Sequence, residues 1–350
     1  MSNTYGSALK LSIFGQSHAP AIGMTLEGLP AGFCPDLEKL QVFLNRRAPG
    51  QGAHTTARKE PDVPEFLSGL VNGVVCGAPL CAVIRNTNVR SQDYVNLQES
   101  PRPSHADYPA RVKYGTAHDG RGGGKYSGRL TAPLCIAGGL CLQLLEERGI
   151  RVGAQILQIA GVKNPRFDPI SPEIPSAYNV PTEEMLEAIA QAKAQGDSVG
   201  GIVECAATGL PVGLGEPMFD GLENRLAQLL FAIPGVRGVD FGAGFDCASM
   251  LGSEHNDCYY VNQDRELRTR SNHAGGVVGG MSTGMPLILR AAFKPTASIA
   301  KVQESCSFDG TRTKLQIQGR HDPCIVPRAL PCVEAAMAIA LVDTLLEAGL

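Results

Sequence analysis

Tryptophan is absent from this 350-residue chain, and aromatic residues make up only 5% of it. Stacking platforms for single-stranded nucleic acid are built from such rings, so a nucleic-acid partner is not indicated. Cysteines at metal-ligand or redox spacing are missing too. The eleven cysteines, an odd number, contain no CxxC, and several (Cys76, Cys81, Cys135, Cys141, Cys205) sit in apolar runs. They read as reduced core residues of a cytoplasmic protein rather than as a disulfide framework or a metal site. No signal-peptide pattern opens the chain, and the most apolar stretches, 132–145 and 335–346, read as too short or interrupted to span a membrane. Both common nucleotide loops are absent. A Walker A would need glycine where Asp119 stands and Ser or Thr where Tyr126 stands, and the glycine spacing misses GxGxxG.

Charge is scarce overall, 19% of residues with a net of −3, but it is unevenly placed. Between Arg46 and Arg129 twelve Lys/Arg face seven Asp/Glu, a local surplus of +5 that leaves −8 elsewhere. A cationic patch on a mildly acidic protein suits a small anionic substrate better than a nucleic-acid backbone. At 43% hydrophobic residues the chain can bury a sizeable core. Repeats, low-complexity tracts and linkers are absent, so one domain over residues 1–350 is expected. Paired strands interleaved with helices suggest an α+β fold rather than a parallel βαβ array.

Residues 119–131, DGRGGGKYSGRLT, combine three consecutive glycines with Arg121, Lys125, Arg129 and the hydroxyl of Ser127. An apolar helix follows, ending at Gly149. Free N–H groups at a helix start, with the positive end of its dipole, make an anion site. The residues alone leave a phosphate cradle and a plain turn both open. Strands are expected at 9–14 and 21–28 around the loop GQSHAPAIG, where Ser17 and His18 in extended chain would face opposite ways. His18 is then a general acid–base candidate or a merely exposed loop residue. A short helix from Asp36 through Phe43 leads to Arg46 and Arg47, and FLSGLVNGVV and PLCAVIRN read as paired strands. Arg102 and His105 stand three apart in RPSHADY, a combination suited to a phosphate leaving group. Later come a strand at 151–162, a helix at 181–196, a strand in GGIVECAATGLPVG, and a helix with Asp220 and Glu223 at capping-box spacing. A strand from 285 runs into Lys294-Pro295, and a final helix is expected from about Ala329 to Ala348. His255 and His273 read as surface or packing residues.

Six stretches, GQSHAPAIG, RPSHADY with KYG, GRGGGKYSGRLT, the section from GLPVGLGEP to GSEHND, SNHAGGVVGGMSTG with KPTAS, and GRHDPCIVPR, resemble in order and spacing the motifs of chorismate synthases. The resemblance covers about residues 5–348. It implies a helical core sandwiched between antiparallel sheets, a homotetramer, and a 1,4-anti elimination of phosphate from 5-enolpyruvylshikimate 3-phosphate. It also implies reduced FMN without net redox change. His18 matches a histidine at the flavin, His105 the proton donor to the departing phosphate, and Asp322 a residue assisting removal of the C6 proton. Ser127, Gly279, Lys294, Pro295, Thr296, Ala297, Ser298 and Arg320 match cofactor contacts. Arg47, Arg102 and Arg129 match substrate contacts. No metal is implied, and NADPH enters only indirectly, as a source of reducing equivalents, since no domain for it is recognisable. The family's RSSARET loop departs here to Lys125, Tyr126, Gly128 and Leu130, and Ala53 stands where relatives often carry arginine, with Arg58 or Lys59 nearby. A non-catalytic phospho-ligand or flavin-binding protein is the rival reading; a metal enzyme using His18, His105 and Asp322 lacks ligand spacing.

Overall fold

A computed structural model describes residues 3–50, 61–86, 99–317 and 322–350. Chain order begins with β1 (Thr4–Tyr5), β2 (Lys10–Gly15), β3 (Ala21–Glu27) and α1 (Leu37–Arg47). Then come β4 (Glu65–Ser68), the small hairpin β5 (Leu70–Val71) and β6 (Val74–Val75), and β7 (Leu80–Arg85). The strands β1-β2-β3-β7-β4 form one antiparallel sheet. FLSGLVNGVV and PLCAVIRN do pair, through β4 and β7, but the first run also folds back on itself as β5–β6.

The helices α2 (Asp107–Tyr114) and α3 (Thr131–Glu147) follow, then β8 (Arg151–Ile159), β9 (Val162–Lys163), α4 (Glu183–Ala194), β10 (Gly201–Thr208), α5 (Leu222–Ala232) and β11 (Val236–Phe241). After the short α6 (Gly252–His255), two hairpins, β12 (Tyr259–Val261) with β13 (Leu267–Thr269) and β14 (Val277–Val278) with β15 (Met281–Ser282), lead to β16 (Leu287–Phe293). A third hairpin, β17 (Gln303–Cys306) with β18 (Arg312–Leu315), precedes α7 (Val326–Glu347). The second antiparallel sheet has the order β11-β16-β10-β8-β9.

Helices α1, α3, α5 and α7 lie between the sheets, with α3 against β2, β3 and β7 and α7 against β8 and β10. The expected α+β sandwich with a helical core is therefore what forms. One continuous apolar cluster runs from Leu9 to Leu345. Both α3 and α7 are mostly apolar and buried on nearly every face, with Glu334 and Asp343 of α7 buried among the apolar residues. The helices Gly128–Glu147 and Val326–Glu347 are both long and apolar enough to cross a bilayer, so the expectation that their segments are too short or interrupted is corrected; 83% and 94% of their most apolar windows are buried inside the protein, as in core helices. Helix α7 starts at Val326 rather than near Ala329, since Pro327 is tolerated in a first turn.

Packing fixes helix direction. Asp36 and Lys39 meet Gln143 and Glu146, whereas Arg47 meets Thr131, so α1 runs antiparallel to α3. Cys135 lies against Cys332, and a Cβ on Gly138 would fall 2.2 Å from that of Ala335, so α3 and α7 run parallel and touch backbone to backbone. Two further expectations fail. The capping box at Asp220 and Glu223 does not form, because Asp220 closes a 3-10 turn and Gly221 is the N-cap. Cys76 is exposed beside the β5–β6 hairpin and Cys81 is partly buried, whereas Cys135, Cys141 and Cys205 are core residues.

Candidate active site

Because α3 and α7 are parallel, their N-termini open on the same place. Neither helix has a side-chain cap, and Thr131 at one start and Ile325 at the other line a single cavity of about 290 Å³. The antiparallel α1 delivers its C-terminal Arg47 to the same point. His18, Arg47, Arg102, His105, Ser127, Arg129, Asp322 and the whole run Lys294, Pro295, Thr296, Ala297 and Ser298 line it. Ile233, Pro234, Phe293, Ile325 and Ala329 supply an apolar wall.

The cations are held from behind by carboxylates. Asp62, fully buried, accepts from Arg47 Nη1 and from Arg129 Nη1, while Arg47 Nε donates to Thr131 Oγ1 at 3.0 Å and Arg129 Nε to Asn86 Oδ1 at 3.2 Å. Burial would raise Asp62, but Arg47 and Arg129 prevail and hold it below the usual carboxylate range. Asp107 takes Arg102 Nε at 2.7 Å and Nη2 at 2.8 Å, and the Arg102 backbone N–H at 3.0 Å. Against burial, these bonds and that of His105 keep Asp107 ionised far below its ordinary range. Arg328 Nη1 donates to Asp322 Oδ2, and Arg328 Nε to the Arg47 carbonyl at 2.9 Å. Burial lowers Arg328 below the arginine range, with Asp322 opposing and Arg47 assisting. Burial also lowers Lys294, helped by Arg237, while its ammonium donates to the Ser104 carbonyl. Among the described residues, five cations (Arg47, Arg102, Arg129, Lys294, Arg328) against three carboxylates leave a surplus of two positive charges around the cavity.

Hydrogen bonding orients both histidines. His105 Nδ1 is 2.6 Å from Asp107 Oδ1, so Nδ1 carries the proton given to the carboxylate and Nε2 is left for chemistry. Arg102 Nη2 stands 3.1 Å from the same Nδ1. Arg102 Nη1 donates to the Gly122 carbonyl at 2.7 Å and to Ser298 Oγ at 3.3 Å, tying the glycine loop to the 294–298 run. Ser17 Oγ donates to the Arg121 carbonyl at 3.1 Å and lies 3.0 Å from His18 Nδ1, from which it accepts. Ser17 and His18 thus occupy a turn and touch, rather than facing opposite ways as extended chain would require; the hydroxyl orients the ring. Gly122, at φ +66°, packs against that ring, and a Cβ there would lie 2.4 Å from His18 Cε1.

Of the three loop cations, Arg129 alone lines the cavity. Arg121 pairs with Asp119, and Lys125 donates to Tyr114 Oη at 2.9 Å with its ammonium over the Tyr114 ring. Ser127 Oγ accepts the Arg129 N–H at 3.2 Å, which leaves its own proton for a ligand. Gly279 is not at the cavity: it forms the tip of the β14–β15 hairpin, where a positive φ of 63° with open space around it calls for glycine. Arg320, His321, Ala53, Arg58 and Lys59 lie outside the described residues. His273 pairs with Asp257 and stacks near His255, away from the cavity. Asp62, Asp107, Arg328 and Cys332 are site residues the sequence did not single out. Asp107, two residues after His105 in RPSHADY, was the one with a visible signal.

The chorismate synthase family profile matches residues 9–346. The chain belongs to the chorismate synthase family. Chorismate synthases from Dehalococcoides mccartyi and Korarchaeum cryptofilum are 45% and 44% identical, covering 100% and 98% of this chain and 98% and 97% of those proteins. A chorismate synthase from Lancefieldella parvula is 44% identical over 99% of this chain and 96% of its own length. A crystal structure of a chorismate synthase superposes with a TM-score of 0.72 at 25% identity, covering 98% of this chain and 93% of that one. Chorismate synthases are lyases of the shikimate pathway, acting on a small molecule.

Proposed function

We propose that the cavity carries out the 1,4-anti elimination of phosphate from 5-enolpyruvylshikimate 3-phosphate with reduced FMN bound beside the substrate. The observation that supports it most is the meeting of two helix N-termini, five cations and two oriented histidines in one small-molecule cavity. The cavity also suits a flavin. Its apolar wall adjoins Thr296, whose buried hydroxyl has no partner among the described residues, and Ser127 and Ser298 add further hydroxyls. Ser127, Lys294, Thr296 and Ser298 would hold the cofactor, with Arg320 from outside the described residues.

When bound, the reduced flavin supplies an electron-rich partner for cleavage of an allylic C–O bond with no net redox change. Arg47, Arg102 and Arg129 bind the phosphate and carboxylates and stabilise charge as it gathers on the leaving oxygens. His105 gives its Nε2 proton to the departing phosphate, and Asp107, bonded at Nδ1, holds the ring in place. His18, its Nδ1–H held by Ser17, would present Nε2 to the cofactor, and Asp322, held by Arg328, handles the proton lost from C6. The C6–H and C3–O bonds break, and their electrons form the new double bond and leave with phosphate.

Purified protein with dithionite-reduced FMN, kept anaerobic, is expected to release phosphate and chorismate from the enolpyruvyl substrate. Flavin binding without phosphate release would favour the non-catalytic reading. The chain is read further as one domain, cytoplasmic and homotetrameric, with NADPH serving only an outside reductant; light scattering after gel filtration tests the assembly.

A further inference from the structure

Two cysteines meet where α3 and α7 cross, at the wall of the cavity. Cys332 is among the residues lining the cavity although it exposes only 3% of its surface, and its thiol donates to the Arg328 carbonyl at 3.5 Å. Cys135 is completely buried, and its Sγ lies 3.9 Å from that of Cys332, with the Cys135 thiol donating. No other pair of cysteine sulfurs touches among the described residues. Arg47, Arg328 and Thr131 surround Cys332. The Cys135 hydrogen bond, these guanidinium groups and the Thr131 hydroxyl outweigh burial and hold the Cys332 thiol below its ordinary range; burial pushes Cys135 well above its own. The pair is asymmetric, with one thiol disposed to attack and one to condense.

We propose that Cys332 and Cys135 form an oxidation site in the cavity wall, where a small peroxide converts the two thiols to a disulfide. The Cys332 thiolate attacks the peroxide O–O bond, giving a sulfenic acid and hydroxide, which a proton turns to water. The Cys135 sulfur then displaces the hydroxyl from the sulfenic sulfur, releasing a second water. Two thiols and hydrogen peroxide become one disulfide and two waters, the sulfurs losing two electrons and the peroxide oxygens gaining them. Dissolved peroxide is sufficient. Bond formation draws the sulfurs from 3.9 Å to about 2.05 Å.

The test treats the protein, without flavin or substrate, with hydrogen peroxide, then alkylates free thiols under denaturing conditions and maps the peptides. The peptides carrying Cys135 and Cys332 are expected as a linked pair that dithiothreitol separates. Cys135→Ala should leave Cys332 as a sulfenic acid captured by dimedone, and Cys332→Ser should leave Cys135 unoxidised. Inorganic phosphate at millimolar concentration should slow the cross-link several-fold without slowing oxidation of the exposed Cys247. Recovery of Cys332 as free thiol while Cys247 is oxidised overturns the proposal, as does Cys332 oxidised with no cross-link in the unsubstituted protein. That mapping decides the matter even if a variant fails to fold. Lacking flavin and substrate, it also fails or succeeds independently of phosphate release.

Discussion

Asp62 accepts from Arg47 and Arg129 at once with no exposure to water, so its removal leaves two guanidinium groups buried against each other. Replacing it by alanine should cost about 3–5 kcal/mol, as breaking a buried pair from one side does; urea unfolding measures it. Asp62 and Asp107 both sit below their ordinary range in the folded protein. Carboxylates depressed by folding lend stability that is whole above their unfolded value, roughly 4, and lost as pH falls toward the folded one. Thermal midpoints should therefore fall as pH is taken from 6 to 3, and fall less steeply in Asp107→Asn. His105→Ala should lower turnover by about 10²–10⁴-fold, the usual size of a general acid contribution, read in the anaerobic phosphate assay. The histidines and arginines were legible because each lies in a motif. Their carboxylate partners were not: Asp62 reaches Arg129 across 67 residues, a pairing that no local spacing encodes.

At the scale of elements, the tightest fit is between α3 and α7. A methyl group on Gly138 would meet the Ala335 Cβ at 2.2 Å, so Gly138→Ala should destabilise by about 1–3 kcal/mol through overpacking. Equilibrium denaturation checks this, with a shifted midpoint and an unchanged slope expected. Both helices were visible in the sequence as apolar runs, and most strands as short alternating or apolar segments. The parallel arrangement was not visible. An amphipathic stripe tells which face packs, and helices buried on nearly all sides show none. Pro327 hid the first turn of α7, and a glycine took the cap that Asp220 was expected to provide.

Over the whole molecule, a net charge of −3 coexists with a cavity carrying a surplus of positive charge. Attraction of an anionic substrate is screened as salt shortens the Debye length from about 10 Å at 0.1 M toward 3 Å at 1 M. The KM for a phosphorylated substrate should accordingly rise with ionic strength while kcat changes little; steady-state assays across potassium chloride concentrations show it. The sandwich places sequence-distant segments on one cavity: the β2–β3 turn, the α1 terminus, the loop before α3, the run after β16 and the start of α7. The positive field there comes partly from the dipoles of the two helices that begin at its wall, which charge-removing side-chain replacements leave in place. A library of single charge-removing variants should thus reach a floor in anion affinity rather than zero.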